Sequence, residues 1–226
     1  MEMSQWLAIA SGLMLVVAYV VYNWGMFAGR TKPNTTTWAI WAMIVILSTS
    51  SYTIASGDWW MAAIALVNFV LCIGTFVVAV MKGRFKEVDR ADLVALGLGI
   101  LAAVIWAIFR SATSANLIVQ VAILIGFVPT WRGVWRGTVK ERSLPWWLWS
   151  SAYTLALVVV IMRWNGQWVA LIYPLNCIWL HASVPLFKSW CRKTAVRVWK
   201  RDPKFASLST DLGLLPRVNQ SEPKKL

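Results

Sequence analysis

Seven apolar runs, at about 5–27, 36–55, 59–81, 93–109, 115–131, 144–162 and 168–187, leave this 226-residue chain few ways to fold. Each is near the roughly 20 residues that cross a bilayer as a helix. In lipid a helix satisfies its own backbone N–H and C=O groups, so a run of this kind is read as a helical span. The composition agrees: 59% of residues are hydrophobic and 14% charged, against about 45–50% and about 25% in soluble chains. The 17 tryptophans point the same way, because indole rings collect at membrane–water interfaces. The fourth run is the shortest and contains Gly97 and Gly99. The first has only Glu2 ahead of it as a charge, so it is expected to remain as a span and not to be cleaved as a leader.

Charge sets the expected orientation, since short cytoplasmic loops retain Lys and Arg. With the amino terminus outside, 20 of the 22 basic residues are cytoplasmic, 10 in loops and 10 in the tail, leaving Arg110 and Arg163 outside. The net charge of +13 then needs no nucleic-acid partner. The expected location is a multi-pass position in a cell membrane, with the bacterial inner membrane as the specific expectation. The tail from Lys188 is basic, with Trp190, Val196 and Trp199 interspersed. It has two readings: an amphipathic helix on anionic headgroups, or a charge anchor followed by unstructured residues. Cys72, Cys177 and Cys191 are odd in number and match no metal spacing, so they read as free thiols, and no cofactor is implied.

An internal repeat emerges when the chain is slid by 108 residues. Gly25 then meets Gly133, Gly29 meets Gly137, Lys32 meets Lys140, Trp38 meets Trp146, Trp41 meets Trp149, Trp60 meets Trp168 and Asn68 meets Asn176. From Val20 to Thr75, 11 of 56 positions are identical and three are Trp on Trp, where chance predicts about 0.3 such Trp pairs. Spans one to three thus repeat as spans five to seven. The odd span between them leaves both triplets in the same orientation, which is a parallel repeat about an axis along the membrane normal. The expected fold is an all-α membrane protein of two three-helix repeats, 1–90 and 113–187, joined by a linker helix at 91–112 and followed by a tail at 188–226.

The repeat directs attention to Asn68 and Asn176, each about ten residues into a span that begins with tryptophan. An unpaired amide in an apolar medium costs roughly 2–7 kcal/mol, so each must be answered by a neighbouring helix or by a polar ligand in a central cavity. Ser48 and Tyr52 share a face of span two at i, i+4 within the hydroxyl cluster "LSTSSYT", and Trp179 lies one turn past Asn176. These five are the candidate substrate-binding residues. Their alternatives are hydroxyls bonding back onto their own helix and a packed core tryptophan. Pro129, Pro145 and Pro174 are candidate hinges. Pro174 leaves the carbonyl of Ala170 without its helical donor. Gly25 and Gly29, like Gly133 and Gly137, permit close helix approach or end helices at loops.

On these residues and this arrangement the chain resembles the PQ-loop superfamily, and within it the SWEET sugar transporters, over residues from about 5 to 187. The resemblance implies seven helices in a three, one, three order, and a sugar faced by an asparagine on the third helix of each repeat, here Asn68 and Asn176. It also implies an aromatic residue near the end of the second helix, here Tyr52, with Val160 in the second half. The Pro-Gln signature is represented by Pro129-Thr130 in the second half and by Val21-Tyr22 in the first.

No Asp or Glu lies deep in any run, which removes the usual carboxylate relay of a proton-driven pump and favours facilitated passage. The single histidine, His181, is five residues past Asn176, about 140° around a helix, and reads as packed. Without an acid, a second histidine or a metal spacing there is no catalytic constellation, so no enzyme is expected. The expectation is an alternating-access facilitator for a small polar, sugar-like solute, with membrane lipids as further partners and room for a homo-oligomer. The alternative is a receptor or accessory subunit that holds a ligand or partner without passing it, as the KDEL receptors of the same superfamily hold a peptide signal. Two gates would mark the first and one access route the second.

Overall fold

A computed structural model describes residues 1–31, 33, 35–82, 90–137, 139 and 141–201, with the side chains of 91 and 195–201 outside the description. Lys32, Asn34, Arg84, Lys86, Lys140 and the tail beyond 201 therefore lie outside the described residues, as do the side chains of Val196 and Trp199.

Eight helices follow one another: α1 Met3–Phe27, α2 Thr35–Ser56, α3 Trp59–Lys82, α4 Arg90–Phe109, α5 Ala112–Gly126, α6 Val128–Trp135, α7 Ser143–Met162 and α8 Val169–Arg201. Taken together, α5 and α6 make one of seven segments long and apolar enough to cross a membrane. The chain is a seven-span, all-α membrane protein. The fifth span is broken at Phe127, because Pro129 in the first turn of α6 has no N–H for the helix behind it. The last span does not stop at 187: α8 runs on to Arg201, and Trp190 stacks on Trp135 and Phe187, so the beginning of the basic tail is part of the bundle.

Local chemistry marks the helix ends. Asp58 Oδ1 accepts from the N–H groups of Trp60 and Met61 at 2.7 and 3.0 Å and starts α3. Ser111 accepts from Ser114 N–H and starts α5. The turns after α1 and α6 are built alike. Gly29 and Gly137 both take φ of 65°, where a side chain would be strained. Gly25 and Gly133 both leave no space for a Cβ, which would sit 2.6 Å from Thr31 Oγ1 and 2.7 Å from Val139 Cγ2. In each turn the second glycine donates to the carbonyl three residues back, Met26 at 3.1 Å and Val134 at 3.3 Å.

Six spans close a ring. α1 packs on α3, α3 on α2, α2 on α5, α5 on α8, α8 on α7, and α7 back on α1, while α4 lies outside against α5 and α2. Hydroxyls and amides stitch the ring together: Ser11 donates to the Ala152 carbonyl, Thr49 to that of Ala65 and Ser150 to that of Ile178. Such bonds are favourable in lipid because water offers no competition there.

Candidate functional site

Within the ring lies a cavity of about 70 Å³. At about 10–15 Å³ per water it has room for roughly five waters. Its wall is aromatic: Tyr19, Trp38, Trp41, Phe127, Trp146, Trp149, Tyr153 and Tyr173, with His181 among them. The rings meet edge to face or tilted, for example Tyr19 on Trp149 at 5.1 Å and Trp146 on Trp149 at 5.0 Å, which is the arrangement their quadrupoles favour. None of the wall residues is Asp, Glu, Lys or Arg. Polar groups reach the wall from Ser48, Asn68, His181 and the tyrosines. Among the described residues the Ser48 hydroxyl and the Trp149 indole N–H have no hydrogen-bond partner. The Trp41 N–H is also unpaired, and its ring passes over Gly126, where a Cβ would lie 2.8 Å from Nε1.

Of the five binding residues expected from the sequence, the structure brings Ser48 and Asn68 together on the cavity wall. Asn68 Oδ1 accepts from the Tyr19 hydroxyl at 2.7 Å. Asn176 lies elsewhere: its amide donates to the backbone carbonyl and the side-chain oxygen of Gln120, at 3.1 and 3.0 Å, and so ties α8 to α5. Trp179 is half exposed on the outside of the bundle, 6.3 Å from the ring of Trp131. Tyr52 is fully buried one turn beyond Ser48, where its hydroxyl donates to the Ala170 carbonyl at 2.9 Å and its ring packs on Tyr173 at 4.8 Å. It thereby serves the carbonyl that Pro174 leaves without a helical donor. Within "LSTSSYT", Ser50, Ser51 and Thr53 bond back onto α2. Pro129 stands at the α5–α6 break, and Pro145 is buried in the first turn of α7.

Side-chain ties cross the bundle toward both ends of the cavity. Toward the α2–α3 turn, the Tyr153 and Tyr173 hydroxyls pair at 3.1 Å. Above them Arg163 contacts Asp58 at 2.8 Å and Glu2 at 3.0 Å, joining three chain segments. Burial works against the Asp58 charge, but the Arg163 guanidinium and the N–H groups of Met61 and Trp60 outweigh it and hold its pKa below the ordinary value. At the opposite end Glu141, in the turn between α6 and α7, folds inward and is buried. Its carboxylate accepts from Tyr22 O–H at 3.0 Å and Trp146 Nε1–H at 3.1 Å, while Lys188 donates to its backbone carbonyl.

Sequence reasoning missed Glu141, whereas His181, read from the sequence as packed, does pack against Phe127, Trp146, Trp149 and Tyr153. The signal for Glu141 was its being the one acid in a basic turn that runs from Arg132 to Ser143. His181 also lines the cavity, one turn past Cys177 on the same face of α8. Comparison with known protein families, with characterised proteins and with solved structures finds no match to this chain.

Proposed function

We propose that the chain carries a small uncharged solute across the membrane through this central cavity by alternating access. The observation that carries the reading is an uncharged, aromatic chamber in the middle of a seven-span bundle, with side-chain ties across the bundle toward each of its ends. A solute with an apolar face and hydroxyls, as a sugar has, stacks on such rings and meets Asn68, Ser48 and the Trp149 N–H at its polar edge. A chamber with room for roughly five waters is smaller than a monosaccharide, so loading requires one end to open.

A parallel repeat, with a pseudo-two-fold axis through the chamber, supports the reading. The paired turns at Gly25–Thr31 and Gly133–Val139 are alike. The wall residues Tyr19, Trp38, Trp41 and Val45 stand 108 positions before Phe127, Trp146, Trp149 and Tyr153. The α1–α7 and α2–α5 contacts are the two that such an axis would exchange. Ties at both ends, which could act as two gates, favour a transporter over a receptor with one access route.

The test is uptake into proteoliposomes across a panel of neutral sugars, nucleosides and vitamins, with Trp149→Ala as the disabled control. Accumulation of one class that Trp149→Ala abolishes supports the reading. A folded protein that binds a member of the panel yet moves none of them supports the receptor alternative.

A further inference from the structure

The buried Glu141 carboxyl lies directly beneath the aromatic chamber, and nothing in passive solute passage requires it. It joins α1 through Tyr22 and α7 through Trp146, and the α6–α7 turn that bears it is tied to α8 through Lys188. Trp146 is shared: it binds Glu141 through Nε1 and forms part of the chamber wall. Tyr22 also receives the Trp38 indole N–H at 3.4 Å, so a second wall ring is connected to the same carboxyl. Beside Glu141 lies a pocket of about 10 Å³, space for about one water. A movement that hydrates Glu141 must separate Tyr22 and Trp146 from it, and so must loosen the chamber at this end.

We propose that Glu141 is a proton-binding site whose loading accompanies closure of this end of the chamber, so that a proton is taken up on closing and released on opening. The inference rests on the transport reading only in requiring that this end opens. Burial pushes the carboxyl from its ordinary 4.5 up to about 7, although Trp146, Tyr22 and Lys188 each favour the charged form. Opened to water, the same group returns toward its ordinary value. The closed form therefore holds the proton more tightly, acid favours closure, and rising pH favours opening. With those two values the opening equilibrium gains about tenfold between about pH 6 and about pH 8.5. The groups around the carboxyl are Tyr22 on α1, Lys188 on α8 and Arg142 beside it in the turn, with His181 of α8 across the Trp146 ring.

The native cysteines of the chamber wall, Cys72 and Cys177, provide the assay. In a Cys191→Ser background reconstituted with known orientation, an impermeant methanethiosulfonate is applied to the face bearing the α6–α7 turn, and labelling rates are measured across the pH range. The ratio of the Glu141 protein to Glu141→Gln cancels the pH dependence of the thiols themselves. The expected result is a ratio that rises about tenfold across the range, with Glu141→Gln held closed. Tyr22→Phe, which removes one donor to the carboxylate, should move the rise to higher pH, and His181→Asn should leave its midpoint in place. A flat ratio with readily labelled cysteines overturns the proton site and leaves the transport reading standing. A rise that disappears in His181→Asn also overturns it. If neither cysteine reacts from that face at any pH, although both react after unfolding, this end does not open, and both readings fail.

Discussion

Replacing Tyr52 by Phe asks what holds the end of the bundle opposite Glu141. The hydroxyl donates at 2.9 Å to the Ala170 carbonyl, which lacks an α-helical donor because residue 174 is proline. In Tyr52→Phe the ring keeps its place on Tyr173, but the carbonyl is left buried and unpaired. A loss of this kind costs about 1–3 kcal/mol. Pro174→Ala supplies the missing N–H, so the same Tyr52→Phe change in that background removes a redundant bond and should cost under about 1 kcal/mol. The two changes should couple by about 1–2 kcal/mol, measured by denaturant unfolding of the four proteins in mixed micelles. Equal cost of Tyr52→Phe in both backgrounds would refute the argument, because it would show that the hydroxyl is not the substitute for the helical bond.

The two asparagines should behave differently. Asn68→Leu strands the Tyr19 hydroxyl, costs about 1–3 kcal/mol and reduces uptake, whereas Asn176→Leu affects the link to Gln120 and leaves uptake per folded molecule intact. Gly126→Ala places a Cβ 2.8 Å from Trp41 Nε1, so it should drive the indole into the chamber and lower thermal stability by an overpacking cost of about 1–3 kcal/mol. Asp58 has a depressed pKa when folded, so its contribution to stability is present above its ordinary value of 3.8 and is lost as pH falls through the folded value. Melting temperature in detergent should therefore decline with acid more steeply in the Asp58 protein than in Asp58→Asn.

The spans were legible because their apolar runs are long and the bilayer demands helices. Every predicted span has its helix among the described residues; most ends shift by a few residues where Thr35, Arg90 or Ala112 extend a helix past its most apolar part, while the last helix continues well past 187 to Arg201. The break at Phe127 was not legible. Pro129 stands out as a hinge inside a run that reads as continuous from 115 to 131, and Arg132 and Gly133 end that run, so only the last turn of α6 reads as loop. Glu141 was hidden for a related reason. Depth within a span was the criterion for a functional acid, and nothing in a linear reading shows that a turn between spans folds back far enough to bury its carboxyl under Trp146.

On the proposed repeat, the position of Asn176 away from the cavity wall has a geometric source. On the first two helices of each half of the proposed repeat, four pairs of wall residues stand 108 apart, Trp38 with Trp146 and Trp41 with Trp149 among them. On the third helices of the proposed repeat the wall residues Asn68 and Cys72 of α3 stand 109 positions before Cys177 and His181 of α8, while the further wall residue Tyr173 has no counterpart on α3. The α2–α3 connection is the two residues Gly57 and Asp58, whereas α7 and α8 are joined by residues 163–168, so the longer turn lets the register slip by one. One residue is about 100° of helix rotation, which carries Asn176 off the wall and onto Gln120 and brings Cys177 into the place opposite Asn68. The sequence match of asparagine with asparagine thus pairs residues with different partners, Tyr19 for Asn68 and Gln120 for Asn176, and His181, about 140° around the helix from Asn176, lines the cavity with Cys177. If the halves are related by the proposed axis, exchanging the two wall residues should be tolerated better than losing one of them. Asn68→Cys should lose uptake, and adding Cys177→Asn should restore a good part of it, since the new amide faces the same chamber. Failure of the folded double variant to recover, together with loss of uptake in Asn176→Leu, would return the site to Asn176 and reject the slip.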